Sequence, residues 1–197
     1  MTESPLRPVT FFADFTCPFS FVTETALRRL SEGRPVELRP RAFELFPAPE
    51  PIPEPAHLPA DLAAAAPLAA EVRLELRHSS MRPRTRKAHE TARFAAVRGR
   101  EEAMRRALYA GYWERGLDIG RIDVLMELAA EVDLDPTDLK IALDIDSHRD
   151  EVLAHEALAR RLRVVRVPTL FIGTGPGAAI LEGARELRAL DEALGGR

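Results

Sequence analysis

Read from its amino end, the chain alternates between short β-prone runs and longer stretches of helical period. Val9-Thr10-Phe11-Phe12-Ala13-Asp14 is apolar enough for a buried strand. It ends at Phe15-Thr16-Cys17-Pro18, where Pro18 suits the first position of a helix. Phe19, Val22, Ala26, Leu27 and Leu30 then recur at helical spacing until Gly33 stops the run. Val36 to Phe43 reads as a second strand, and a helix between two strands predicts a parallel pair. Between Phe46 and Ala56 stand Pro47, Pro49, Pro51, Pro53 and Pro55, which impose an extended loop or polyproline-like arm. Leu62 to Ala70 predicts a short helix, and the alternation in Val72 to Arg77 predicts a third strand.

Residues 84–163 are helical in pattern almost throughout. The periodicity predicts helices over Arg86–Val97, Arg100–Arg115 and Ile122–Val132, then a short one opened by Asp135-Pro136. A capping box at Ser147-His148-Arg149-Asp150 predicts a fifth, ending near Leu162. Strand character returns at Thr169–Ile172 and Ala179–Leu181, and Arg185 to Leu194 closes as an amphipathic helix. Gly173-Thr174-Gly175-Pro176-Gly177 leads into another strand pattern, so it reads as a hairpin turn and not a phosphate loop. The order β-α-β, helical block, β-β-α predicts one mixed sheet split by an insertion. The fold class is α/β.

Composition narrows the function classes. The chain has 197 residues, 46% of them apolar and 30% charged, with a net charge of −3. That balance is ordinary for a globular protein and offers no one-sign field for nucleic acid or an anionic membrane. No run reaches the roughly 20 apolar residues of a membrane span, and Met1 to Arg7 lacks the order of a secretory signal. The single cysteine cannot form a bridge within the chain. An unpaired thiol fits a reducing compartment, so a cytoplasmic location is expected.

The candidate chemistry lies at two places. Cys17-Pro18-Phe19-Ser20 sits at a strand-to-helix junction, where unpaired N–H groups and the helix dipole favour a thiolate. The competing reading is a small buried hydrophobe. Val167-Pro168-Thr169 precedes a strand, where proline is tolerated at the start; with the first motif upstream, the 167–168 bond is expected to be cis. Other features have plainer readings. The run Arg82-Pro83-Arg84-Thr85-Arg86-Lys87 could meet an anionic ligand, but a balanced basic turn is favoured. His78 and His89 could steer a proton, though packing is the default, and His148 and His155 lack a third ligand, so no metal is expected. Tyr109, Tyr112 and Trp113 read as core.

Taken together, these motifs resemble the DsbA-like thioredoxin superfamily, and within it the FrnE-like disulfide oxidoreductases. The likeness also rests on Arg86 to Ala95, Ala107 to Gly120, Leu134-Asp135-Pro136, Glu156 to Arg160 and Val167 to Phe171, and is weakest from Phe46 to Ser80. The resemblance implies a thioredoxin-like domain over 1–83 and 164–197, with 84–163 as a helical insertion domain. It implies Cys17 as nucleophile, aided by Pro18 and Ser20, and substrate binding by Phe19, Val167, Pro168 and Thr169. Ser20 stands where the family has its second, resolving cysteine, so the expected activity is monothiol exchange, with glutathione or another external thiol as resolver. The neighbouring 2-hydroxychromene-2-carboxylate isomerases and kappa-class glutathione transferases commonly carry serine at the Cys17 position, which keeps glutathione-dependent isomerisation or transfer as an alternative, beside a non-catalytic binding role. No tightly bound cofactor is expected. The expected partners are a thiol or disulfide protein or glutathione, not nucleic acid or membrane, and a homodimer is compatible with the pattern.

Overall fold

The computed structural model describes residues 6–52, 58–77 and 81–196. Four strands form one sheet in the order β2-β1-β3-β4: β1 (Arg7–Ala13), β2 (Val36–Ala42), β3 (Thr169–Ile172) and β4 (Ala179–Glu182). β1 lies in the interior, parallel to β2 and antiparallel to β3, and β3 and β4 form an antiparallel hairpin. The parallel pair is linked by α1 (Pro18–Ser31), as the β-α-β order requires. Gly33, at φ +69°, lets the chain turn after α1.

The two-residue period of β1 divides its side chains between two apolar clusters. Val9, Phe11 and Ala13 pack with Val22, Ala26 and Leu27 of α1, Leu170 and Ile172 of β3, and Leu190 of α8 (Leu187–Ala193). Phe12 points to the opposite face, with Cys17, Ala159, Val164 and Val167. A third cluster holds together four of the helices between β2 and β3: α3 (Arg86–Ala96), α4 (Glu101–Trp113), α5 (Ile122–Ala130) and α6 (Pro136–Asp144); α7 (Arg149–Arg161) instead places Ala159 in the Phe12 cluster. Phe15 and Phe21 join the third cluster beside Tyr109, Tyr112 and Trp113, so the start of α1 is wedged into the helical layer. A buried ion pair ties the two parts: Arg105 of α4 grips both carboxylate oxygens of Glu24 in α1, at 2.6–3.2 Å.

Two expectations fail. Val72 to Arg77 is not a strand: α2 (Leu58–Glu71) runs up to it and the chain then turns, with Arg73 at φ +52°. Leu74 and Leu76 alternate because both fill the seam between two apolar clusters, while the Arg77 amide donates to the Trp113 carbonyl at 2.9 Å. One-sided burial gives a period of two without strand pairing. The capping box at Ser147 does not form either. The Ser147 amide closes the end of α6 on the Ala142 carbonyl, and α7 begins only after His148.

The basic run is internally balanced, as the plainer reading expected. Arg86 pairs with Glu44, Lys87 with Glu90 and Asp146, and Arg82 with Asp61. Arg84 donates to the carbonyls of Phe46 and Glu50, each at 2.6 Å, and so anchors the described part of the proline-rich loop. His78 lies outside the described residues.

Candidate active site

Cys17 is the N-cap residue of α1, in an extended conformation, and Pro18 occupies the first helical position. A proline there loses no hydrogen bond, since the first turn's amides lack helical partners. The Cys17 carbonyl accepts from the amides of Ser20 and Phe21 at 3.1 and 3.2 Å. From the far end of the sequence, the loop before β3 reaches this point through a cis Val167–Pro168 bond, as expected from the paired motifs. Cys17 Sγ donates to the Val167 carbonyl at 3.6 Å. The Gly183 amide fixes the Pro168 carbonyl at 2.7 Å, and Thr169 Oγ1 donates to the Arg166 carbonyl at 2.8 Å. Cys17 and Val167 are therefore neighbours across 150 residues of sequence, with Ser20 one turn further along α1 and Phe19 half-buried against the same cluster.

The electrostatics differ from the sequence expectation. The helix start was expected to favour the thiolate, but Cys17 is only 5% exposed and its pKa is pushed up to about 11. Burial is the main cause; the Ser20 hydroxyl and the amides of Ser20 and Phe19 oppose it, and the Asp14 carboxylate adds to it. The sulfur rests among Phe12, Val164, Val167 and Ala159, with Phe19, Phe43, Leu45 and Leu158 around them. Withdrawal from water costs the charged form more than one helix terminus returns. The Ser20 hydroxyl is buried and makes no hydrogen bond to the neutral thiol, yet it stands close enough to favour the thiolate.

Several residues of the site escaped the sequence reading. Asp14, at the end of β1, is buried and accepts four hydrogen bonds: from the amide and hydroxyl of Thr16 (2.7 and 2.8 Å), the Leu45 amide (2.7 Å) and the Thr85 hydroxyl (3.0 Å). Burial raises its pKa and the four donors counter that rise. This one carboxylate joins the Cys17 loop, the segment after β2 and the entry to α3. Asp followed two residues later by a donor amide is the signature of an Asx turn, which Asp14-Phe15-Thr16 carries. Trp113 Nε1 donates to the Phe15 carbonyl at 2.9 Å and steadies the same loop from α4. His89 stacks on Phe15 with centroids 4.8 Å apart, and burial holds it well below the usual imidazole range, hence neutral. Beyond it lies Glu44, whose pKa burial and the neighbouring Glu156 raise to about 8, against the attraction of Arg86. Among the described residues, no three His, Cys, Asp or Glu side chains come together as a metal site.

Comparison with known proteins agrees with this fold. A family model described as a DSBA-like thioredoxin domain matches residues 8–195. YwbO of Bacillus subtilis (strain 168) is 29% identical over 179 residues, covering 85% of this chain and 88% of that protein. A probable DsbA oxidoreductase from Streptomyces coelicolor superposes with a TM-score of 0.80 at 26% identity, covering 97% of this chain and 91% of that one. The cytosolic disulfide reductase DsbM from Pseudomonas aeruginosa, solved with GSH, shares the fold at a TM-score of 0.69 and 21% identity, with 89% of each chain covered.

Proposed function

The chain belongs to the DSBA-like thioredoxin domain family, and on that premise we propose that it is a FrnE-like monothiol thiol–disulfide oxidoreductase working in the reducing direction. The observation that carries the reading is the 3.6 Å contact between the chain's single thiol and the Val167 carbonyl beside cis-Pro168, with Ser20 in place of a second cysteine. Cys17 loses its proton and attacks a disulfide R–S–S–R, giving Cys17–S–S–R and releasing RS⁻, which takes up a proton. With no internal resolver, an external thiolate attacks the R-side sulfur of the mixed disulfide, expels the Cys17 thiolate, which takes up a proton, and leaves with R as a new mixed disulfide. A second external thiol then frees RSH. Glutathione is the proposed external thiol; the DsbM neighbour solved with GSH supports that choice. The same reading places the exchange in the cytoplasm, where thiols are kept reduced.

The direction follows from the burial. Sites that stabilise a thiolate hold their reduced form and act as oxidants. Burial at Cys17 withholds that stabilisation, which favours the disulfide-linked form and makes the thiol an electron donor. Pro18 fixes the helix start behind the sulfur, and the Ser20 hydroxyl serves the thiolate as it forms. The Val167 backbone, Pro168, Thr169 and Phe19 form the surface against which the substrate lies. Phe19 is half-buried and must yield for a disulfide to approach.

The neutral, hydrogen-bonded state of the thiol also favours a second reading, in which Cys17 donates to the sulfur of bound glutathione in an isomerisation or transfer. One experiment separates the two. Glutathione-dependent reduction of a small disulfide is measured for the wild type and for Cys17→Ser. Loss of turnover in the variant is expected for thiol exchange; a variant that keeps glutathione binding and turnover would overturn that reading in favour of the second.

A further inference from the structure

The loop that delivers Val167 to Cys17 is unusual in its charge. Between Arg160 and Arg166 the sequence is Arg-Arg-Leu-Arg-Val-Val-Arg, with four cations and no acid. All four arginines are exposed. Among the described residues none of the four makes an ion pair or a side-chain hydrogen bond; arginines 73, 77 and 106 share that state but are scattered, while arginines 28, 34, 39, 82, 86, 93, 100, 105, 115, 121, 149 and 188 are all paired with acids. The nearby acids are mostly engaged elsewhere: Glu44 and Glu156 share Arg86, and Asp14 is buried under its four donors. Exposed Glu182 stands opposite Thr169 on β4.

Arg160 and Arg161 lie in the last turn of α7, where cations complement the helix dipole. Arg163 and Arg166 lie beyond the helix, and that explanation does not reach them. Their backbone is well anchored. Arg163 takes a left-handed conformation at φ +57°, its amide donates to the Arg160 carbonyl at 3.1 Å, and the Val164 amide donates to the Ala159 carbonyl at 2.9 Å. Arg166 directly precedes the residue whose carbonyl meets the sulfur, so its Cα is about 3.8 Å from that of Val167. Between the two arginines Val165 is 74% exposed. A protein of net charge −3 thus concentrates uncompensated positive charge and two exposed apolar side chains, Leu162 and Val165, at the approach to its thiol.

We propose that this cationic strip selects carboxylate-bearing peptide disulfides, drawing them onto the loop before β3 so that their disulfide meets Cys17. The selection presupposes thiol exchange at Cys17 and adds to it a substrate class. Long-range attraction into a site of one sign raises encounter rates by about 10–10³-fold and fades with salt.

The test measures the rate of mixed-disulfide formation at Cys17, by intact mass, with anionic oxidised glutathione and with cationic cystamine. A second pair of probes consists of disulfides of otherwise identical peptides flanked by glutamate or by lysine. Expected is a preference for the anionic member of each pair on the order of tenfold at low ionic strength. It should shrink as the Debye length falls from about 30 Å at 0.01 M salt to about 8 Å at 0.15 M, and collapse in Arg163→Gln/Arg166→Gln. A preference seen only with the peptides places the source in acidic protein segments; one seen also with glutathione includes the small disulfide. Comparable rates for both charges, unmoved by salt, overturn the selection while leaving thiol exchange intact. No adduct from any reagent overturns both. The salt arm uses the wild-type chain and so stands even if the double variant folds poorly.

Discussion

At the scale of single residues, the site is decided by a contest between burial and a helix terminus. The sequence pairs Cys17 with the Val167–Pro168 loop, and the two segments do meet, but it misjudges the charge on the sulfur, because solvent exposure depends on Ala159, Val164 and Val167, which come from more than a hundred residues away. Alkylation of Cys17 is therefore expected to climb with pH toward about 11 without levelling off near the ordinary thiol value of about 8.5; a plateau below pH 8 would contradict the account. Phe19→Ala, which thins the half-buried cover over the sulfur, should speed alkylation several-fold at fixed pH. An unchanged rate would remove Phe19 from the approach to the thiol. The Asp14 hub was legible only as a turn signal, since the donors from Leu45 and Thr85 are set by tertiary contacts.

At the scale of elements, the joints between helices and sheet rest on a few buried charges. Arg105 and Glu24 join α4 to α1 with both groups withdrawn from water. Arg105→Met should destabilise the fold by about 3–5 kcal/mol, because it strands a buried carboxylate; denaturant unfolding measures it, and a loss under about 1 kcal/mol would show that Arg28 alone suffices for Glu24. Where α7 meets the end of β2, two groups respond oppositely to pH. Glu44 has its folded pKa raised from 4.5 to about 8 by burial and by Glu156, against Arg86. Its contribution to stability is complete below about pH 4.5 and is lost as pH rises through about 8. His155 is held down to about 4 by burial and then by Arg41 and Arg93, and its neutral Nδ1 accepts from the Ala42 amide at 3.2 Å. Its contribution is present above about pH 6.5 and is lost as pH falls through about 4. Glu44→Gln should flatten the alkaline limb of thermal stability against pH and leave the acid limb in place; an unaltered alkaline limb would exclude the pair as its source. None of these pairings has a sequence signature, because their partners lie on different elements.

At the scale of the molecule, the order of elements was legible because periodicity and punctuation agreed along most of the chain. The β-α-β start, the helical block and the final hairpin and helix all follow from local pattern, as does the parallel β1–β2 pair, whereas the cis bond before β3 is expected only from its pairing with the distant Cys17 motif. Val72–Arg77 failed since its alternation records a seam between two clusters, a property of the whole packing. The sole tryptophan ties the layers together: Trp113 sits fully buried in the helical cluster and holds the carbonyl two residues before Cys17. Its emission should therefore shift when Cys17 becomes disulfide-linked, and a spectrum blind to that change would mean that the loop does not respond to the sulfur. The most direct measurement of the central claim is the intact mass of the reduced protein after exposure to oxidised glutathione, with Cys17→Ser alongside. A single glutathione adduct on the wild type, absent from the variant and removed by free glutathione, is the predicted result. A wild-type chain that stays unmodified even at pH values approaching the titration of Cys17 would contradict the account.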